Sequence, residues 1–233
     1  YGAHSRDICR ALIELDRYLD LDGLEPVNRE FKETIGTISK KYWNIFYAET
    51  SGTEDLDSRN IDFTFDVEIP EDSGDMYTLY LREFADGHKK ATDLDYLLID
   101  KHESWVDLPI YEKFPKTKNL VSKLPFKNVA RVMFCFQEKT GKSGIHVDHV
   151  DSNWRQEFIW FRLDISKKFY LLENNKPIYI QGSSGWFDTT IPHGSETEEY
   201  GVSLRVDGEF TPEFRKKLFG KDSKWETITS YEK

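Results

Sequence analysis

The sequence predicts an α+β protein whose β part closes as a barrel or jelly roll, with helices on its flanks. Three observations carry that expectation. From Val129 onward, short apolar or alternating runs recur at close spacing with turn residues between them. Ahead of them, apolar residues recur at helical spacing among charges. Aromatic residues make up 15% of the 233 residues and the hydrophobic fraction is 38%, enough for one core with an elaborated flank.

Taken in order, residues 5 to 21 read as a helix, with Ile8, Leu12, Leu15 and Leu19 at helical spacing. A second helix follows Pro26, with Phe31, Ile35, Ile38 and Tyr42 on one side. Residues 51 to 60 are polar and acidic, hence a loop. Residues 61 to 69 alternate as a half-buried strand, and Met76 to Phe84 reads as its partner. Residues 93 to 100 read as a short strand, and the stretch 101 to 119, with two prolines, as irregular. Strands follow at Val129–Phe136, Phe158–Leu163, Phe169–Leu172, Ile178–Ile180 and Val202–Val206, with Trp186-Phe187 resuming after the Gly182–Gly185 loop. A turn falls at residues 139 to 141, and Asn174-Asn175-Lys176 reads as a hairpin turn. Thr211-Pro212 opens a last helix that ends near Gly220. The expected organisation is a single domain over 1–233. It has a helical and strand flank at 1–110, a β core at 111–210, and a C-terminal helix and tail at 211–233.

The formal net charge of -10 argues against a nucleic-acid binder, because phosphate contact needs clustered Lys and Arg. Cys9 and Cys135 are the two cysteines, and Cys135 sits in an apolar run as a buried thiol rather than part of a disulfide framework. No run of eighteen apolar residues and no signal peptide is visible, so no membrane partner and a reducing, cytoplasmic setting are expected.

Two stretches carry the chemistry. In Gly144-Ile145-His146-Val147-Asp148-His149, residues 146 and 148 point the same way on an extended chain, so an imidazole and a carboxylate can grip a metal side by side. In Trp186-Phe187-Asp188-Thr189-Thr190-Ile191-Pro192-His193, His193 can supply a third ligand. Two His and one carboxylate on one face of an octahedron are the ligand set of non-haem Fe(II) oxygenases. Arg205 lies twelve residues after His193 inside the apolar run Val202–Val206, where an Arg is seldom found unless an anion meets it. Ser203 faces the same side as Arg205. His149, adjacent to the pair, faces away from it. Asp188 either orients His193 or caps its loop. Trp154, Trp160 and Trp186 read as core residues that can also line a pocket.

This pattern resembles the Fe(II)/2-oxoglutarate-dependent dioxygenases, over roughly residues 114 to 210. Within them it looks most like the aspartyl/asparaginyl β-hydroxylase and proline hydroxylase branch. The branch features are Phe187-Asp188 before His193, Phe161-Arg162-Leu163 between the metal motifs, and Phe114-Pro115 and Leu124-Pro125 ahead of the core. The resemblance implies a double-stranded β-helix (jelly-roll, cupin-like) core. It implies Fe(II) held by His146, Asp148 and His193, and 2-oxoglutarate as co-substrate. Arg205 would clamp the far carboxylate of 2-oxoglutarate, Ser203 would add a hydroxyl donor, and Arg162 would help hold a carboxylate of substrate or co-substrate. The implied reaction is hydroxylation of an unactivated C–H bond of an amino acid or peptide side chain, with O2 consumed. Halogenating relatives lack the metal carboxylate, so Asp148 implies hydroxylation rather than halogenation. The competing expectation is a non-catalytic cupin-like binding or sensor module.

Overall fold

The computed structural model describes residues 11–39, 42–46, 76–87, 104–137, 142–148 and 156–220. The predicted strands at 61–69 and 93–100, the loop at 51–60, the turn at 139–141, Cys9, His149 and Trp154 lie outside them.

The described residues form two antiparallel sheets. The large one is built from β1 (Leu12–Glu14), β2 (Asn44–Phe46), β3 (Met76–Phe84), β4 (Trp105–Asp107), β5 (Phe126–Gln137), β7 (Phe158–Arg162), β10 (Ser184–Phe187) and β12 (Gly201–Phe210). Its order is β1-β10-β7-β12-β5-β3-β2, with β4 beside β3. The small sheet holds β6 (Lys142–His146), β8 (Lys168–Glu173), β9 (Lys176–Tyr179) and β11 (His193–Glu196), in the order β6-β11-β8-β9. From β5 to β12 the chain steps back and forth between the sheets, which is the winding of a double-stranded β-helix, or jelly roll. The fold is therefore α+β with a jelly-roll core.

β12 shows how alternation divides the molecule. Val202, Leu204 and Val206 are fully buried in the apolar core shared with Val27 and Phe31 of α1 (Leu24–Thr34). Ser203, Arg205 and Asp207 take the other face, toward the space between the sheets. That inner face also receives Phe169 of β8, whose ring stacks on Phe187 at 4.0 Å and meets Trp160 at 5.5 Å. Fully burying each such aromatic contributes about 2–3 kcal/mol.

The last helix follows its sequence signals. The Thr211 side chain accepts from the Phe214 amide, Pro212 opens α3 (Pro212–Phe219), and Gly220 follows at φ 74°. The Asn174-Asn175 turn also holds, with both residues at positive φ, the conformation a tight hairpin requires. At 24–38 the expected helix is shorter: α1 ends at Thr34, residues 35–37 tighten to a 3-10 turn, and Ile38 is extended.

Two expectations are corrected. Leu12–Glu14 is a strand rather than part of a helix. It pairs Leu12 with Phe187, and the Glu14 and Asp16 carboxylates accept the backbone amides of residues 181–184. An open edge on β10 thus overrides helical spacing. The stretch 104–121 is ordered rather than irregular. It holds β4, a 3-10 turn at Pro109–Lys113 and α2 (Pro115–Val121). Its prolines stand in the first turns, where a missing N–H does no harm. The buried Glu30 carboxylate accepts the Lys116 and Thr117 amides at the start of α2.

Candidate metal centre

The β-helix brings the two sequence stretches together. His146 ends β6 and His193 begins β11, and the two are direct partners in the antiparallel pair. A register shift between His193 and Ser195 follows at once, an irregularity of the kind that re-aims side chains. Asp148 lies just past β6, where its amide donates to the Thr189 carbonyl at 3.0 Å, tying it to the β10–β11 connection.

The side chains converge. Asp148 Oδ1 lies 3.5 Å from His146 Nε2 and 3.4 Å from His193 Nε2, and the imidazole centroids are 4.5 Å apart. One potential ligand atom from each residue falls within 4.8 Å of the other two, making this a metal-capable group among the described residues. His193 Nδ1 donates to the Ile191 carbonyl at 2.8 Å, which turns the Nε2 lone pair toward Asp148. Two imidazole nitrogens and a carboxylate oxygen that converge in this way are a donor set that fits a divalent metal.

Electrostatics favour the ligating protonation states. His193 is buried between Phe169 and Phe187, with ring centroids at 5.6 and 5.1 Å. That burial, and then the neighbouring His146, push its pKa down toward the neutral imidazole. Burial works to raise the Asp148 carboxyl, but His193 and Arg205 outweigh it and hold the group well below the ordinary carboxylate range.

Arg205 is close, but its three nitrogens are already engaged. Nη1 donates to Asp148 Oδ2 at 3.2 Å, Nε to Asp207 Oδ1 at 3.0 Å, and Nη2 to Gln156 Oε1 at 2.8 Å. The guanidinium carbon stands 4.2 Å from the Phe158 ring centroid. Asp207 also takes Arg131 Nε at 2.8 Å, so Arg131, Asp207, Arg205 and Asp148 form a chain of alternating charge. Arg205 thus braces the carboxylate of the metal group, and three of its five N–H donors are used in doing so. Ser203 is fully buried and donates to the Cys135 carbonyl at 3.3 Å.

Arg162 is not brought to the triad. Its guanidinium donates to the Ile180 carbonyl beyond β9, its Nε has no hydrogen-bond partner among the described residues, and burial depresses its pKa against the pull of Glu14 and Asp16. Asp188 takes the capping alternative: Oδ1 accepts from the Thr190 amide at 3.1 Å and hydroxyl at 2.6 Å. Trp160 packs on Phe169, and Trp186 donates to the Gln156 carbonyl and packs on Phe219, so both serve the core. Sequence reasoning passed over Gln156, Asp207, Gln137 and Lys167, all buried. Only Asp207 carried a signal, as an acid two residues after Arg205 on an apolar strand.

No protein-family model matches the chain, and no curated protein matches it. Among solved structures, the chain is similar to a prolyl-4-hydroxylase of Pseudomonas putida, at 8% identity and a TM-score of 0.43, over 86% of this chain and 93% of that one. It is similar to a 2OG-Fe(II) oxygenase family oxidoreductase of Burkholderia pseudomallei, at 10% identity and a TM-score of 0.36, over 81% and 90%. It is also similar to a viral collagen prolyl hydroxylase of Paramecium bursaria Chlorella virus-1, at 11% identity and a TM-score of 0.38, over 86% and 97%. The chain's own fold and site define a double-stranded β-helix protein with a His-Asp-His group able to hold a metal. No helix among the described residues is long and apolar enough to cross a membrane.

Proposed function

We propose that the protein is an Fe(II)/2-oxoglutarate-dependent oxygenase that hydroxylates an unactivated C–H bond of an amino acid or peptide side chain. The observation that carries the reading is the meeting of His146 Nε2, Asp148 Oδ1 and His193 Nε2 at the edge of the small sheet. When bound, Fe(II) with 2-oxoglutarate supplies an oxidant from O2, giving succinate, CO2 and a hydroxylated product.

The chain's part is to hold. The Ile191 carbonyl fixes the His193 ring, and Arg205 keeps Asp148 ionised and turned so that Oδ1 faces the imidazoles. Phe169 and Phe187 pack on the buried His193 ring, and Phe158 backs the Arg205 guanidinium. Two imidazoles and one carboxylate leave a net positive charge on a divalent ion, which suits an anionic 2-oxo acid.

One observation favours a second reading, a non-catalytic module that binds metal through the same triad: the nitrogens of Arg205 are engaged within the protein. Anaerobic titration with Fe(II) and then 2-oxoglutarate separates the two. A weak visible charge-transfer band on adding the 2-oxo acid supports the oxygenase. Metal uptake with no such band supports the binding module. No uptake at one equivalent defeats both.

A further inference from the structure

Gln156 is an uncharged side chain set among the buried charges beside the triad. It is 7% exposed, and its main chain is pinned by Trp186 Nε1, which donates to the Gln156 carbonyl at 2.9 Å. Both ends of its amide are engaged. Oε1 accepts from Arg205 Nη2 at 2.8 Å, and Nε2 donates to Asp207 Oδ1 at 3.0 Å. Only this orientation of the amide pairs, because a guanidinium only donates and a carboxylate only accepts.

These bonds close a ring. Arg205 Nε donates to the same Asp207 oxygen at 3.0 Å, so Arg205, Asp207 and Gln156 each bond the other two. The ring takes Nε and Nη2 of the guanidinium fork and leaves Nη1 directed elsewhere. Nη1 is the nitrogen that reaches Asp148 Oδ2, at 3.2 Å. The ring therefore sets the direction in which Arg205 meets the metal group.

Without Gln156 less remains to set it. Asp207 would hold the guanidinium by Nε alone, and a single hydrogen bond tolerates a wide range of angles. The Phe158 ring, 4.2 Å from the guanidinium carbon, resists movement toward it but not turning about that carbon. Turning is the motion that carries Nη1 off Oδ2.

What depends on this direction is the second oxygen of Asp148. Oδ1 stands 3.5 and 3.4 Å from the imidazole nitrogens and faces the metal position, while Oδ2 is turned to Arg205. A carboxylate can hold an ion through one oxygen or through both. With Oδ2 engaged by a cationic donor, Oδ1 alone is presented.

We propose that Gln156 is a positioning residue for the metal centre: by closing the ring on Arg205 it keeps Asp148 Oδ2 off the ion, so that Asp148 gives one oxygen and the ion keeps a position for another ligand. The proposal rests on the triad holding a divalent metal, which both readings above share.

Infrared difference spectra, Zn(II)-loaded minus metal-free, on protein carrying isotope-labelled aspartate test it. The gap between the two carboxylate stretches is wide when one oxygen binds an ion and narrow when both do. The unaltered protein should show the wide gap. Gln156→Met, similar in length but unable to make either bond, should show the narrow gap with the ion still bound. Loaded with Mn(II), that variant should also relax water protons less, because fewer waters reach the ion. Gln156→Asn, polar but one methylene short of its partners, should behave alike and decides the matter if Gln156→Met does not fold. A merely structural role would lower stability and leave the gap wide, so a wide gap in a folded variant overturns the proposal. A narrow gap in the unaltered protein overturns it too, as does a folded variant that no longer takes the ion. Failure of the unaltered protein to take Zn(II) or Mn(II) instead overturns the metal reading itself.

Discussion

Arg205 Nη1 donates to Asp148 Oδ2 at 3.2 Å while Asp148 Oδ1 faces both imidazoles, so one carboxylate has its two oxygens assigned to different duties. Oδ2 is anchored in the protein and Oδ1 is presented to a metal. Because Asp207 holds Arg205 from the far side, the arrangement depends on a buried charge chain rather than on a single contact.

Arg205→Met is therefore expected to damage the fold and the metal group together. It leaves Asp207 and Asp148 short of a cation, and breaking a buried pair from one side costs about 3–5 kcal/mol. Urea unfolding should show that loss, and Co(II) affinity should fall with it. A variant with the stability and Co(II) affinity of the parent would contradict the bracing role.

His193→Ala should abolish stoichiometric metal binding. Its ring supplies the ligand from β11, and the remaining pair comes from one short segment. Plasma mass spectrometry after desalting should read well under one metal per chain. The cavity left between Phe169 and Phe187 should also lower stability, by about 1–3 kcal/mol.

Lys167 predicts an unusual pH dependence. Its pKa falls from 10.5 to about 8 in the folded chain because burial disfavours the ammonium. Between those values the unfolded chain binds more protons than the folded one, so this group makes stability rise with pH across that window. The gain over Lys167→Met should reach about 3 kcal/mol at most. Cys135, whose thiol is pushed up by burial, acts the opposite way in both proteins and largely cancels in the difference. Unfolding curves at pH 7 and pH 10 that shift equally in both proteins would contradict the unpaired state of the ammonium.

Asp148 also bears on the product. On the proposed oxygenase reading, its carboxylate would hold the metal where a halide would otherwise bind and would add negative charge there, so a substrate turned over in chloride-rich buffer should gain one oxygen and no chlorine. Mass analysis of the product decides this, and a chlorinated product would refute the assignment of Asp148.

The triad was legible because its chemistry is local in sequence: a His-x-Asp on an extended chain and a distant His before a strand. The core strands were legible through alternation, as in β12. What escaped notice depends on long-range pairing. Leu12–Glu14 has helical spacing in sequence, and only the open edge of β10 makes it a strand. Adjacent in sequence, Lys167 and Lys168 part in the fold: Lys168 reaches the exposed Glu198 while Lys167 turns inward into space left by Gly201. The occupation of Arg205 follows from Gln156 and Asp207 arriving beside it, and Gln156 carried no pattern of its own.

The pairing of His146 with His193 ties metal capture to strand register. The two residues are 47 positions apart and become neighbours only when β6 and β11 align. A slip of one residue would send the His146 ring to the opposite face of the sheet. An ion held there would act as a checkpoint on assembly: a misaligned chain has the same composition and much the same strand content, but could not load it. Metal occupancy per chain then counts correctly registered molecules, and fractionating a refolded preparation by metal content should separate native chains from slipped ones that circular dichroism cannot tell apart.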